Sequence, residues 1–405
     1  MSKTLLQINS VINSGSTGRI AEEIGQTAIA AGWESYIAYG RNERPSSSKL
    51  IKVGTDKDIK LHGLQTRLFD RHGLGSKGAT TDFIRQIEKI DPDIVHLHNI
   101  HGYYINMEVL FHYLKKVNIP VVWTFHDCWP ITGHCSHFTF VGCEKWKTQC
   151  YNCPQKTGYP ASYLIDRSKK NFILKKELFN SLSNLTLVPV SQWLSGILKE
   201  SFLQNYPIKV IKNGVNTEVF RPSEVSDFRN KHGLIDKFVL IGVATSWGER
   251  KGLNDFIELS KLLDSDFQIV LVGLTKKQIE LLPKNILGIE RTESVDALAD
   301  IYASADIVLN LSYEETFGLT TVEGFACGTP GIVYNATASP ELIEESTGVV
   351  VEQGNMNKLV EAIYTIKNNG KQYYSDACVN RAHRLYKKED RYREYIDLYE
   401  GLIGR

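Results

Sequence analysis

Short apolar runs alternate along the chain with segments whose apolar residues are spaced at helical intervals. The runs Pro120–Phe125 and Phe238–Ala244 are almost continuously apolar, as is typical of parallel strands that are buried on both faces. After the first apolar run, Ile20, Ile24 and Ala28 recur at the spacing of one helix face. Repeated strand and helix patterns of this kind predict doubly wound α/β domains.

Two segments depart from this regular alternation. The span from Arg41 to Thr80 is polar, rich in glycine and serine and poorly periodic, so we expect a loop that is partly mobile. The span from Asp166 to Leu182 predicts a helix with a basic rim. The basic residues of that rim are Arg167, Lys169, Lys170, Lys175 and Lys176. Such a rim could contact anionic lipid, and a solvated helix face is the alternative.

Length and charge limit the classes of protein that are compatible with the sequence. A chain of 405 residues predicts two domains or more. The net charge of +1 provides no field that would select nucleic acid, so we expect no nucleic-acid partner. No run approaches the roughly 18 apolar residues of a membrane span, and the first residues lead into a strand without a signal-peptide pattern. We therefore expect a cytoplasmic protein.

Five of the seven cysteines lie in the segment from 128 to 154. Four of them could form a tetrahedral thiolate site: Cys135, Cys143, Cys150 and Cys153. Because a Cys-x2-Cys pair is typical of such sites, we predict a structural zinc ion, with His134 and His137 as substitute ligands. A disulfide, a redox pair and four free thiols are the alternatives, although a redox pair would need a thioredoxin-like βαβ context that the sequence lacks.

Histidines occur at the carboxyl ends of predicted strands, where open α/β sheets bind ligands. Strand alternation places His96 and His98 on one face, with His101 just beyond them. No carboxylate stands at a matching spacing, so we expect hydrogen-bonded histidines rather than a metal site. His126 ends the next strand, and we predict that Asp127 accepts an N–H from it and fixes its tautomer.

A glycine-rich turn follows the first predicted strand. Gly15-Ser-Thr-Gly18 opens a helix, and its backbone could approach a phosphate. The alternative is a plain tight turn between strand and helix. The spacing is not Gly-x-Gly-x-x-Gly, so the turn does not favour dinucleotide binding.

The most informative stretch follows the apolar strand Asp306–Leu311. The loop and helix after it carry Glu315, Phe317, Gly318, Leu319, Glu323 and Gly328-Thr329-Pro330. The first N–H groups of a helix have no partner within it and bind anions. Glu315 and Glu323 are about two helical turns apart and can face one ligand. Carboxylates beside such N–H groups suit a ligand with hydroxyl and phosphate groups.

This arrangement resembles the nucleotide-sugar site of the retaining glycosyltransferases of family 4, which have the GT-B fold. Other stretches also match the family: Lys251-Gly252, Asn213-Gly-Val-Asn216, Phe220-Arg-Pro222, Pro340-Glu341 and Gly348–Val351. The cysteine-rich insertion at 128–154 is not general to family 4 and looks like the subset that makes bacterial exopolysaccharides such as colanic acid.

The resemblance implies two Rossmann-like domains that face a central cleft. Residues 1–217 would form the N-terminal, acceptor-side domain, and residues 218–385 would bind the nucleotide sugar. Residues 386–405 would form a C-terminal helix that returns to the first domain.

The family's functional residues can be carried over to this sequence position by position. The resemblance implies that Glu315 and His126 contact the donor sugar, that Lys251 binds the diphosphate and that Glu323 holds the ribose. Further donor-binding positions are Arg250, Phe317, Gly318, Leu319, Gly15 and Gly18. The family's arginine falls on Ser246, and we expect Arg250 to supply its charge instead.

The implied reaction is the retaining transfer of a sugar from a nucleoside diphosphate, UDP before GDP, to a glycan or lipid-linked glycan. The family needs no catalytic metal, because cationic side chains take its place. A lipid-linked acceptor would bring peripheral contact with the inner face of the membrane. The alternatives are a glycoside hydrolase, which also uses paired carboxylates, a GT-B epimerase or phosphorylase, and a non-catalytic scaffold that binds nucleotide or sugar.

Overall fold

The computed structural model describes residues 2–223 and 227–404. The chain forms two compact units, and the first combines Met1–Lys212 with Arg391–Arg405. The second unit is Asn213–Asp390. The divisions thus fall near residues 212 and 390, where the sequence predicts them at 217 and 385. Each unit has its own sheet and core, as the alternation of strands and helices predicts.

Unit 1 contains a six-stranded parallel sheet in the order β3-β2-β1-β4-β5-β6. Its strands are β1 (Thr4–Ile8), β2 (Glu34–Tyr39), β3 (Lys49–Lys52), β4 (Ile94–Leu97), β5 (Val121–Phe125) and β6 (Leu185–Pro189). Its helices are α1 (Gly15–Ala30), α2 (Asp56–Phe69), α3 (Lys77–Ile90), α4 (Met107–Val117), α5 (Ser168–Phe179) and α6 (Gln192–Glu200). The order reverses direction between β1 and β4, which is the usual ligand position in such sheets.

Unit 2 repeats this topology, with the strand order β12-β11-β10-β7-β8-β9. Its strands are β7 (Phe238–Val243), β8 (Phe267–Val272), β9 (Ile286–Ile289), β10 (Ile307–Asn310), β11 (Gly331–Tyr334) and β12 (Gly348–Val351). Its helices are α7 (Asp227–His232), α8 (Leu253–Leu262), α9 (Lys276–Glu280), α10 (Val295–Ser304), α11 (Leu319–Ala326), α12 (Met356–Asn369) and α13 (Lys371–Tyr386). Here the order reverses between β7 and β10.

The last helix, α14 (Lys388–Ile403), packs into the core of unit 1. Tyr392, Tyr395 and Tyr399 are at most 1 % exposed and belong to the same apolar cluster as Leu5. The Tyr399 hydroxyl also lies 2.6 Å from Nδ1 of His96. Buried tyrosines need such hydrogen-bond partners, so the helix contributes both apolar area and polar contacts to unit 1.

The prediction of a loop from Arg41 to Thr80 is wrong, because this span holds β3, α2 and the start of α3. The buried residues of α2 are His62, Gly63 and Thr66, so the helix shows no apolar stripe in the sequence. A capping box formed by Thr55 and Asp58 starts the helix.

The helix predicted from Asp166 to Leu182 is shorter than expected, since α5 spans Ser168–Phe179. Lys175 does not belong to its basic rim, because this side chain is buried. Its ammonium group donates hydrogen bonds to the carbonyls of Trp129 (2.7 Å) and Thr132 (3.1 Å). Lys175 therefore fastens α5 to the segment that follows β5.

Candidate active site

The loops that follow β7 and β10 carry the principal predicted site residues of unit 2. These two strands are neighbours, and a ligand site is expected where the strand order reverses between them. Gly252 allows the two loops to approach each other closely. A Cβ at this position would stand 2.2 Å from the carbonyl oxygen of Leu311. Its φ of +71° also favours glycine. Lys251 is thereby placed beside the start of the β10 loop.

Lys251 and Glu315 form an ion pair between the ammonium group and Oε1. Their side chains are 21 % and 15 % exposed, so the pair is largely shielded from water. The Ser312 hydroxyl lies 3.1 Å from the same carboxylate oxygen. Burial tends to raise the pKa of Glu315, but the charge and hydrogen bond of Lys251 outweigh it and hold that pKa below its ordinary value. Glu315 is therefore an anion at neutral pH.

Thr337, which the sequence did not single out, fixes the backbone of Glu315. Its hydroxyl accepts a hydrogen bond from the Glu315 N–H at 2.8 Å and donates one to the Glu315 carbonyl at 2.7 Å. Thr337 itself has a φ of +50°, an uncommon conformation for a β-branched residue that often marks functional sites. No motif surrounds it, so only the three-dimensional contact reveals its role.

Arg250 points toward the same loop. Its Nη1 donates a hydrogen bond to the Glu314 carbonyl at 2.9 Å, and its charge contributes to the low pKa of Glu315. Ser246, at the position of the family's arginine, is exposed. The guanidinium group of Arg250 therefore supplies positive charge beside Glu315, although it is tied to the loop by this bond.

Helix α11 starts directly after this loop. Gly318 precedes it with a φ of +93°, and Leu319 is its first residue, so the N–H groups of the helix start lie beside the glutamate loop. Phe317 is 4 % exposed and packs on the ring of Tyr386. Glu323 lies within the helix, where its Oε2 accepts a hydrogen bond from the Tyr302 hydroxyl at 3.0 Å.

In unit 1, the glycine-rich turn lies at the start of α1. Gly15 has a φ of +63°, and a Cβ there would meet no atom within 4 Å. Gly18 is enclosed, since a Cβ there would lie 3.1 Å from the backbone nitrogen of Asn13. The space beside Gly15 allows close approach of a ligand, whereas Gly18 is required by the turn itself.

The predicted partner of His126 is wrong. Asp127 instead accepts a hydrogen bond from Nε2 of His101 at 2.8 Å, because successive residues point to opposite sides of the strand end. His126 Nε2 lies 3.1 Å from Nδ1 of His98, and His98 Nε2 lies 3.0 Å from Oε1 of Gln7. Gln7 donates its amide to the Ala21 carbonyl.

These contacts determine where the protons lie. Since the oxygen of Gln7 faces His98, His98 donates from Nε2 and accepts at Nδ1. His126 must then donate from its own Nε2. Burial is the main cause that lowers the pKa of His98 well below its ordinary value, and it lowers that of His126 to about 4. Both rings are neutral at pH 7.

The four cysteines of the predicted metal site line one small cavity, together with His134. They are free thiols. Among residues 2–223 and 227–404, no group of three or more His, Cys, Asp or Glu side chains is arranged so that it could hold a metal ion. Zinc at this site stays a prediction.

Comparison with known proteins decides the family. The family described as Glycosyltransferase Family 4 matches residues 17–219, half of the chain, and the one described as Glycosyl transferases group 1 matches residues 224–385. The chain belongs to glycosyltransferase family 4. It is a glycosyltransferase, and this result favours glycosyl transfer over the hydrolase, epimerase or phosphorylase, and scaffold alternatives.

Individual relatives are distant in sequence and differ in how much of this chain they cover. The glycosyl transferase WcaC of Escherichia coli K12, whose name assigns it to colanic acid biosynthesis, is 24% identical over 98% of this chain and 100% of its own length. The α-galactosylglucosyldiacylglycerol synthase of Streptococcus pneumoniae is 28% identical over 54% of this chain and 65% of its own.

Solved structures confirm the GT-B fold. The sucrose-phosphate synthase of Thermosynechococcus elongatus superposes with a TM-score of 0.75 at 16% identity, covering 99% of both chains. Anabaena HepE in complex with UDP-glucose superposes with a TM-score of 0.69 at 14% identity, covering 98% of this chain and 99% of its own. In the part of this glycosyltransferase that the structure describes, no helix is long and apolar enough to cross a membrane.

Proposed function

We propose that this family 4 enzyme transfers a sugar, with retention at the anomeric carbon, from a UDP-sugar to a glycan or lipid-linked glycan acceptor of a bacterial surface polysaccharide. The observation that carries the proposal is the shielded ion pair of Lys251 and Glu315, which lies at the strand-order reversal of unit 2 and beside the start of α11. The ion pair and the start of α11 together bring a cation, a carboxylate and helix N–H groups to one place.

This combination suits a nucleoside diphosphate leaving group. As the bond from the anomeric carbon to the diphosphate breaks, negative charge develops on the phosphate oxygens. Lys251, Arg250 and the N–H groups at the start of α11 would bind that charge. A preorganised donor of this kind typically contributes about 10²–10³ in rate. Because these groups are cationic or N–H donors, we propose that no catalytic metal is required.

Two carboxylates would bind the remainder of the donor. Glu315 is ionised and held by both its backbone and side chain, so it can stabilise positive charge that develops at the anomeric carbon. We assign the ribose hydroxyls to Glu323, whose Oε2 is already oriented by Tyr302. The neighbouring Phe317, Gly318 and Leu319 would shape the wall of the donor site.

From the family resemblance we propose that His126 contacts the donor sugar, and that the loop with Gly15 and Gly18 binds the donor phosphate or the acceptor. The hydrogen bond between His126 and His98 sets the orientation of the ring. A neutral imidazole of fixed tautomer can accept a hydrogen bond from a sugar hydroxyl. We therefore assign His126 to recognition of the sugar rather than to charge neutralisation.

The choice of donor and acceptor rests on the relatives. Anabaena HepE was solved with UDP, with UDP and glucose, and with UDP-glucose, which favours UDP over GDP. The name of WcaC points to colanic acid, and that of the streptococcal synthase to a lipid product. A surface polysaccharide that is assembled on a lipid carrier satisfies both, and it would bring the enzyme into peripheral contact with a membrane.

Calorimetry with UDP, GDP and ADP, in the presence and absence of EDTA, tests the donor site. We expect UDP to bind most tightly and EDTA to leave its affinity unchanged. Product analysis by NMR with a panel of UDP-sugars and lipid-linked acceptors then tests retention of the anomeric configuration. Absence of nucleotide binding by the folded protein, or a product of inverted configuration, would contradict the proposal.

A further inference from the structure

The segment between β5 and α5 lacks ordinary structural support. Its regular structure consists of two single 3-10 turns, Trp129–Ile131 and Lys145–Lys147. Its own apolar packing centres on Phe138 and Trp146, whose rings stack at 4.9 Å. Segments with so small a core usually need another source of folding free energy, such as a bound metal ion.

Four cysteine side chains surround one cavity inside this segment. They are Cys135, Cys143, Cys150 and Cys153. The cavity has a volume of about 10 Å³, which is room for a single small atom. The chain must fold back on itself to bring Cys135 to the Cys-x2-Cys pair. A Cys-x2-Cys pair joined by two further cysteines is the ligand set of structural zinc.

Hydrogen bonds converge on two of the sulfur atoms that line the cavity. The backbone N–H of Gln155 donates to the sulfur of Cys153, two residues earlier, and the N–H of Gly133 donates to that of Cys150. The thiol of Cys135 donates to the Cys153 sulfur as well. Backbone N–H donors aimed at sulfur are typical of the ligands of a metal site, which they orient.

A buried polar atom beside the cavity also needs explanation. His134 is 2 % exposed and lines the cavity. Its Nδ1 lies 2.6 Å from Oδ1 of Asp70, whereas its Nε2 has no hydrogen-bond partner among the described residues. An orphaned polar atom in the interior costs about 1–3 kcal/mol. A charged group in the cavity would remove that cost.

We propose that these four cysteines bind a structural Zn²⁺ ion as thiolates, each giving up one proton. His134 lies outside the coordination shell in this assignment, where its Nδ1–H donates to the Asp70 carboxylate. This role differs from the substitute ligand that the sequence suggested. The ion would fix the segment after His126 to α5, and this inference does not depend on the proposed donor chemistry.

Elemental analysis of the full chain, purified under reducing conditions without added metal, tests the proposal. We expect one zinc per chain, and we expect Cys143 and Cys153, which are only partly buried, to be protected from a thiol reagent until a chelator is added. Cys153→Ser should lower the zinc content well below one, whereas the matched control Cys327→Ser, a buried cysteine of unit 2, should keep it. If Cys153→Ser does not fold, cobalt substitution in the unmodified chain provides the same test through thiolate charge-transfer bands.

His134→Ala distinguishes the two possible coordination shells. Removal of a side chain outside the coordination shell should leave one zinc per chain and speed its extraction by a chelator about tenfold to a hundredfold. Loss of zinc from this variant would overturn the four-cysteine assignment. A chain without zinc, whether its cysteines react freely or form a disulfide, would overturn the proposal as a whole.

Discussion

Replacing Lys251 by alanine tests the proposed donor site most directly. The substitution removes the ammonium group that pairs with Glu315 and leaves the carboxylate with the Ser312 hydroxyl and the more distant charge of Arg250. Because Lys251 is the main cause that lowers the pKa of Glu315 against its burial, that pKa should rise. The folded structure should survive, since Lys251 is a partly exposed loop residue.

The expected magnitude follows from the shielding of this site. Two charges about 4 Å apart near a protein surface attract by about 4 kcal/mol, and a free energy of that size corresponds to about 10³ in rate. The loss of a single preorganised donor in enzymes that stabilise oxyanions costs about 10²–10³. We therefore expect Lys251→Ala to reduce kcat/KM for the nucleotide sugar by about 10²–10³.

Steady-state transfer and UDP calorimetry should be measured on the same preparations. Lys261→Ala is a matched control, because its ammonium group forms an exposed pair with Glu258, and such pairs contribute little. Glu315→Gln with and without Lys251→Ala separates two roles of the lysine. If Lys251 binds diphosphate, UDP affinity falls in both backgrounds. Turnover of Lys251→Ala within about threefold of the unmodified enzyme would refute the assignment.

Three further substitutions test other parts of the molecule. Glu323→Gln should weaken UDP binding about tenfold, roughly the 1.4 kcal/mol of one charge-assisted hydrogen bond, and leave the binding of 2′,3′-dideoxy-UDP unchanged; equal losses for both ligands would argue against a ribose contact. His98→Phe removes the acceptor for His126 and the donor for Gln7, so it should lower kcat about tenfold and cost about 1–3 kcal/mol of stability. Unchanged kcat of the folded variant would show that the tautomer is fixed elsewhere. The pKa of His62 is lowered to about 4, chiefly by burial, so the unfolded chain, with a pKa near 6.5, binds more protons between these values and stability falls as pH falls. Between pH 7 and 5 this loss is about 2 kcal/mol, because the unfolded chain gains a proton there while buried His62 stays neutral and its Nε2 keeps accepting a hydrogen bond from the Gly75 N–H. His62→Gln should reduce that pH dependence when urea unfolding is followed by tryptophan fluorescence, and an unaltered slope would contradict it.

The elements that form the cores were predictable because their patterns are local. β7 and β10 are apolar runs that are buried on both faces, and Gly318, whose positive φ favours glycine, directly precedes α11. Strands of a parallel sheet are covered on both faces and therefore need such apolar runs, so these strands can be recognised from the sequence. The pairing of Lys251 with Glu315 also follows from topology, once β7 and β10 are recognised as neighbours.

Contacts between distant segments could not be predicted in the same way. The buried residues of helix α2 are a histidine, a glycine and a threonine, so its sequence has no apolar periodicity. Thr337 forms two hydrogen bonds to Glu315, which is 22 positions away in the sequence. The residues next to Thr337 in the sequence form no motif that would predict this contact. A lysine at position 175 of a helix is expected on the surface, but Lys175 is buried. Its partners Trp129 and Thr132 belong to the inserted segment. In each case the partner lies in another part of the chain.

The orientation of His126 shows how sheet register decides a chemical property. Gln7 pairs in register with His96, and Leu97 pairs with Trp123, so His98 lies two residues beyond the partner of Gln7. His126 likewise lies two residues beyond the residue opposite His98. Because side chains two residues apart share a face, Gln7, His98 and His126 form a diagonal line across β1, β4 and β5 toward their carboxyl ends. Each hydrogen bond along this line fixes the donor of the next. Gln7 donates to the Ala21 carbonyl, His98 donates to Gln7, and His126 donates to His98. An adjacent carboxylate could not replace this line, because Asp127 points to the other side and pairs with His101.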